Sequence, residues 1–204
     1  EPAIVGVSGG ASRVHRSSTQ EHLSDDLISV AQAVSWTSSD GETVHGFYYA
    51  PTNPEFTAPE GSLPPLLVNV HGGPTSSARP GLSIAVQYWT SRGFAFLDVN
   101  YRGSTGYGRK YRQRLNGHWG VLDVQDCAEG AQYLVSQGLA DPEHIAIRGR
   151  SSGGYTVLSA LTDSDVFTAG TSLFGIGDLK LLEATTHKFE SHYDQFLIGS
   201  DDLS

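Results

Sequence analysis

The sequence has one cysteine and no methionine in 204 residues. A lone Cys127 excludes an internal disulfide and a cysteine-based zinc site, and it carries no information about compartment. No stretch approaches the ~18 consecutive apolar residues that span a bilayer, so no membrane partner is expected. Cations are few: 13 Lys and Arg against 22 Asp and Glu leave a net charge of −9. Nucleic-acid binding needs clustered cations that displace counterions, so nucleic acid is not expected as a partner. The densest basic group, Arg102, Arg109, Lys110, Arg112 and Arg114, lies among glycines and tyrosines and reads as a solvated loop and helix face. The first residues lack a basic region followed by an apolar one, so no signal peptide and a cytoplasmic location are expected. A chain that starts at Glu1 and lacks Met reads as a piece cut at both ends.

What remains is one globular domain of ordinary size, 38% apolar and rich in glycine. Residues 1–30 are Ser-, His- and charge-rich without a sustained period, and read as a linker or a remnant of something preceding. Gln32–Ser38 and Val44–Ala50 flank Ser39-Asp40-Gly41-Glu42, where Asp-Gly is a strong turn signal, so a β-hairpin is expected. A Pro-rich loop, Pro51 to Pro65, follows. The chain then alternates between apolar runs and helical spacing. Strands are expected at Leu66–Val70, Phe94–Val99, Ile145–Arg148 and Thr168–Phe174. Helices are expected at Ile84–Arg92, on the face of Val121, Val124, Ala128, Ala131 and Leu134, and over Tyr155–Leu161. Gln125, Asp126, Glu129 and Gln132 fall on the polar face of the second helix, with Cys127 as a small core residue at the margin. Such βαβα alternation implies a parallel sheet covered on both faces.

Gly149-Arg150-Ser151-Ser152-Gly153 reads as a nucleophile elbow, a strand-to-helix turn that lifts a serine above the sheet. With 24 glycines, G-x-S-x-G should arise by chance about 0.3 times in this composition. Gly6-Val7-Ser8-Gly9-Gly10 fits the same pattern. Only Ser151 has a strand before it and an apolar helix after it. Gly149, Gly153 and Gly154 suit a turn that brings backbones too close for a Cβ. The Ser152 N–H, at the start of the helix, is the first expected oxyanion donor. The second is expected from the loop after an earlier strand, where His71-Gly72-Gly73-Pro74 follows Leu66–Val70. A nucleotide-binding crossover is disfavoured because neither Gly103–Gly108 nor Gly175-Ile176-Gly177 forms a dinucleotide or phosphate loop.

In such a fold the triad order is Ser, acid, His, so His71, which precedes the nucleophile, is expected to brace its loop. Only His187 and His192 follow Ser151. Five residues apart they point about 140° from each other on a helix, so they are not expected to bind a metal. No cofactor is expected.

Val70-His71-Gly72-Gly73-Pro74, Asn100-Tyr101-Arg102-Gly103-Ser104-Thr105-Gly106-Tyr107-Gly108, Asn116-Gly117-His118-Trp119-Gly120 and Gly149 to Tyr155 together resemble the prolyl oligopeptidase family of serine peptidases. Within it they look most like the branch of the acylaminoacyl peptidases and related dipeptidyl aminopeptidases. The match runs from about Val30 to the C-terminus. The resemblance implies an α/β-hydrolase catalytic domain, doubly wound on a mostly parallel sheet and here C-terminally truncated, usually preceded by a β-propeller. Residues 1–30 then resemble the passage out of the propeller and 31–204 a partial catalytic domain. Ser151 is implied as nucleophile, the N–H groups of Ser152 and Gly73 as the oxyanion hole, and His71 and Gly72 as the loop supporting it. His71 stands where some branches have a tyrosine that helps the oxyanion, which implies a hole built from backbone alone. Family triad partners lie on loops after the two strands that follow Thr168–Phe174. Asp178, Asp194, Asp201 and Asp202 come too early, so the acid and base are expected beyond Ser204, and the fragment itself is expected to be nearly inactive.

The resemblance implies cleavage of short or N-terminally blocked peptides through an acyl-enzyme on Ser151, with a short peptide as partner and a homo-oligomer left open. A carboxylesterase of the same fold and an inactive hydrolase-fold binding domain stand as alternatives.

Overall fold

The computed structural model describes residues 3–8, 11–17, 23–179 and 197. Strands β1 (Ala3–Ser8) and β2 (Ala11–Ser17) pair antiparallel as a separate two-stranded sheet, with Ser8 opposite Ala11. The stretch expected as a linker or a remnant of something preceding holds these two paired strands; residues 9 and 10 lie outside the described residues. Ser8 ends a strand that turns back into another strand, so it has no helix to hold a strained turn.

Among the described residues the main sheet has six strands: β3 (Gln32–Thr37), β4 (Thr43–Tyr49), β5 (Leu66–Val70), β6 (Ala95–Asn100), β7 (Ile145–Arg150) and β8 (Ala169–Leu173). Their order is β3-β4-β6-β5-β7-β8, with β6, β5, β7 and β8 mutually parallel and β3 and β4 antiparallel at one edge. The expected Asp-Gly turn closes β3 onto β4, with Gly41 at φ +86 and Thr37 opposite Thr43. Helix α1 (Ile84–Thr90) covers one face; α3 (Leu122–Ser136) and α4 (Ser152–Asp163) cover the other, and the short α2 (Gly108–Gln113) caps the loop after β6. Burial on both faces explains why β5 reads Leu-Leu-Val-Asn-Val without alternation.

Period two divides the core. Leu66, Val68, Val70, Leu97, Val99, Ile145 and Ile147 pack against α3 and α4, while Tyr49, Leu67 and Phe96 pack against Val86 of α1. Cys127 is buried in the larger cluster, and burial pushes its thiol well up.

Four sequence expectations about which side faces inward are corrected. Ile84 and Tyr88 are exposed on α1, where Val86, Gln87 and Thr90 are buried instead. Gln87 is inside because its amide bonds both backbone groups of Ser29, accepting from the N–H at 2.7 Å and donating to the carbonyl at 3.1 Å. On α4, Leu158 and Leu161 are exposed and the helix faces the sheet with Gly153, Gly154, Val157 and Ala160. Small residues let the helix sit close on the strand ends, a requirement that counting large apolar residues misses. Val121 is exposed. Arg102 and Asp126, expected in solvent, are both buried and paired with each other.

Candidate active site

Ser151 joins β7 to α4 with φ 53 and ψ −123, a conformation that L residues avoid and that costs about 1–3 kcal/mol. Its surroundings impose it. The Ser151 N–H donates to the Leu173 carbonyl at 3.1 Å, and its own carbonyl accepts from the N–H groups of Gly154 and Tyr155 at 2.9 and 3.2 Å. A Cβ on Gly149 would lie 2.2 Å from the Gly153 carbonyl oxygen, and one on Gly153 would lie 2.4 Å from that of Val70. Both clashes are with backbone, so α4 can start this close to β5 and β7 only with glycine there. The serine itself is exposed above the strand ends, whereas Ser152 is buried.

The loop after β5 passes beside it. A Cβ on Gly72 would stand 3.1 Å from the Arg150 carbonyl oxygen and 3.4 Å from Ser151 Cβ. Gly73 turns at φ +132, and the Gly73-Pro74 peptide is cis. The Tyr101 hydroxyl lies 3.2 Å from the carbonyls of both His71 and Pro74, clamping the two ends of this turn. The His71 ring stacks on Tyr101 with centroids 4.4 Å apart, and its nitrogens lie 2.8 Å from Ser104 Oγ and from the Gly72 carbonyl. Burial pushes the His71 pKa down to about 4, so the ring is neutral at neutral pH. Its nitrogens are directed at this loop and at Ser104, the geometry of a brace. Ser151, Ser152, His71, Gly72 and Gly73 thus converge where β5 and β7 end side by side, with Val70 opposite Gly149.

The sequence profile of the prolyl oligopeptidase family matches residues 80–203. The chain belongs to that family. It is 34% identical over 157 residues to the acylamino-acid-releasing enzyme of Arabidopsis thaliana, covering 71% of this chain and 20% of that one. Dipeptidyl aminopeptidase BIII of Pseudoxanthomonas mexicana is 38% identical over 122 residues, or 59% of this chain and 18% of that one. Among solved structures, a Mycobacterium tuberculosis puromycin-hydrolyzing peptidase superposes with a TM-score of 0.93 at 48% identity, covering 97% of this chain and 31% of that chain. The acylaminoacyl peptidase of Pyrococcus horikoshii superposes at 0.74 with 32% identity, over 86% of this chain and 28% of that one. The fold is that of the α/β-hydrolases, and the chain spans less than a third of the length of these relatives.

The other motifs of this prolyl oligopeptidase family member hold the two loops in place. The Asn100 amide receives the Ala78 N–H at 2.8 Å and donates to the Tyr107 hydroxyl at 3.0 Å, while the Thr105 N–H donates to the Ser76 carbonyl at 2.7 Å. Arg102 anchors that second loop from below: its Nε and Nη2 grip the Asp126 carboxylate at 2.9 and 2.6 Å, and its Nη1 pairs with Asp40 in the β3–β4 turn. Gly120 is pressed against Tyr155, where a Cβ would lie 2.9 Å from the ring, and Trp119 packs on the same ring at 5.0 Å. Sequence reasoning found the motifs but missed Asp123 and Asp126 as buried groups. The available signal was an Asp three residues after Gly120 at a helix start, where a side chain commonly caps backbone N–H groups.

Among the described residues, no group of three His, Cys, Asp or Glu side chains could hold a metal ion, and no helix is long and apolar enough to cross a membrane. His187, His192, Asp194, Asp201 and Asp202 lie outside the described residues. A hollow of about 700 Å³ lies where β5 begins, bounded by Pro64, Pro65 and Gly138; it is at the other end of that strand from the serine.

Proposed function

We propose that the whole protein is a serine peptidase that forms an acyl-enzyme on Ser151. The observation that supports this is the Ser151 backbone, held at φ 53 by two backbone contacts that only glycine permits. A turn so strained is maintained where a side chain must stand clear of its own strand and helix. In the proposed reaction Ser151 Oγ gives its proton to a general base and attacks the scissile carbonyl; the C–N bond then breaks, the amine leaves with that proton, and water afterwards hydrolyses the ester on Ser151. The oxyanion that develops is received by the N–H groups of Ser152, at the positive end of α4, and of Gly73. Neutral His71 acts on the reaction only through the Gly72–Pro74 backbone it supports. No general base or acid stands beside Ser151 among the described residues, and without them amide hydrolysis should be slower by several orders of magnitude.

Short or N-terminally blocked peptides are the proposed substrates, by analogy with relatives named acylamino-acid-releasing enzyme and dipeptidyl aminopeptidase. The test compares hydrolysis of acyl-amino-acid amides, dipeptide amides and simple esters by the full-length protein. Turnover of esters alone would replace the peptidase reading by a carboxylesterase. Fluorophosphonate labelling of the full-length protein, abolished by Ser151→Ala, is the second expected result, and absence of labelling would indicate an inactive binding domain.

A further inference from the structure

Asp123 is wholly buried, yet no cation pairs with it among the described residues; Arg102 is committed to Asp126 and Asp40. Its carboxylate accepts instead from the Gly120 N–H at 2.6 Å and from the Thr156 hydroxyl at 2.5 Å. Backbone N–H groups at the start of α3 also favour the charge, but burial dominates and pushes the carboxyl up to about 6. A buried carboxylate with no cation beside it is costly and is kept only where its hydrogen bonds offset that cost. Its presence therefore points to something it does for its two partners, and both belong to the surroundings of the serine.

Gly120 lies against the Tyr155 ring. Thr156 stands one turn after Ser152, and its hydroxyl oxygen is 2.5 Å from Asp123 but 3.3 Å from the Ser152 carbonyl. The hydroxyl has a single proton. Given to Asp123, it is withheld from the Ser152 carbonyl, where bonding back by one turn bends helices. On the sheet side the start of α4 is set by the glycine contacts at positions 149 and 153. On the side facing α3, Asp123 holds the turn that follows, at Thr156.

We propose that Asp123 is a positioning residue for the elbow: by holding the Thr156 hydroxyl it sets the first turn of α4, and with it the Ser151 carbonyl bonds and the direction of the Ser152 N–H. This inference rests on the serine-peptidase reading above.

The test uses the full-length protein with Thr156→Val, which removes the hydroxyl at nearly constant shape, Thr156→Ser, which keeps it, and Asp123→Asn, which removes the charge. Turnover of the best amide substrate is expressed per site titrated by a fluorophosphonate, so that loss of folded protein does not count. In T156V and D123N, kcat per titrated site should fall on the order of tenfold with KM unchanged, as expected for a sub-ångström misplacement. T156S should stay within about twofold of the parent, and the double variant T156V/D123N should be no slower than the slower single one. A T156V or D123N turnover within about twofold of the parent, or a T156S turnover as low as that of T156V, overturns the proposal. If T156V yields no folded protein, the same criterion applied to D123N decides. Failure of the unsubstituted protein to label at all would instead overturn the serine-peptidase reading.

Discussion

Gly153→Ala isolates the contact that ties the elbow to the loop after β5. The added methyl would sit 2.4 Å from the Val70 carbonyl oxygen and 2.8 Å from that of His71. To reach even the 3.0 Å at which real contacts begin, α4 and the end of β5 must separate by about 0.6 Å, and neither atom is the end of a flexible side chain. Overpacking of this kind costs about 1–3 kcal/mol. Replacing glycine by alanine in a helix returns about 1 kcal/mol. The net destabilisation is therefore about 0–2 kcal/mol, with a change in thermal midpoint of about 2–4 °C per kcal/mol for a domain of this size. Chemistry should suffer more, because the shift separates the Ser152 N–H from the Gly72-Gly73 backbone: a misplacement near 1 Å costs on the order of a hundredfold in rate. The assay is the second-order rate of fluorophosphonate labelling in the full-length protein, read beside the thermal midpoint. Gly81→Ala, where a Cβ would meet nothing within 4 Å, is the control. Labelling of G153A at the parent rate would refute the reasoning, since the elbow would then tolerate the very atom its packing excludes.

Ser151→Gly should be more stable than Ser151→Ala by about 1 kcal/mol in denaturant unfolding, because glycine adopts φ 53 without strain; equal stabilities would mean that the turn stores none. His71 binds its proton in the unfolded chain near 6.5 but in the folded chain only near 4, so stability falls as pH drops through that window. Between pH 7 and pH 5 this amounts to about 2 kcal/mol, which His71→Gln should remove. Asp98 and Asp123, raised to about 6 by burial, act in the opposite sense, gaining stability as pH falls through 6, so the difference between parent and variant is the quantity to measure. Arg102→Met strands the buried Asp126 carboxylate and should cost about 3–5 kcal/mol in chemical denaturation, most of it recovered in the double variant with Asp126→Leu. Loss in R102M equal to that in the double variant would show that the stranded charge is not the cause.

Local signals made much of this protein legible in its sequence. Apolar runs with little alternation marked β5 and β6, because both faces of these strands are buried, and Asp40-Gly41 marked the hairpin, because its turn needs a residue at ease with positive φ. Ser151 could be told from Ser8 because a strained turn needs a strand and a helix to hold it, and only one of the two has both. Tertiary structure decided what depends on partners distant in the chain. Arg102 looks solvated until Asp126, 24 residues later, and Asp40, 62 residues earlier, fold around it. Leu158 looks like the inner face of α4 until the glycine contacts turn the helix so that its small residues meet the sheet. Asp123 looks like an ordinary helix-start acid, and only packing brings Thr156 onto it. Sequence spacing determines which local conformations are available to each segment; which polar groups are buried together depends on distances across the fold, and there a few tenths of an ångström decide where a serine stands.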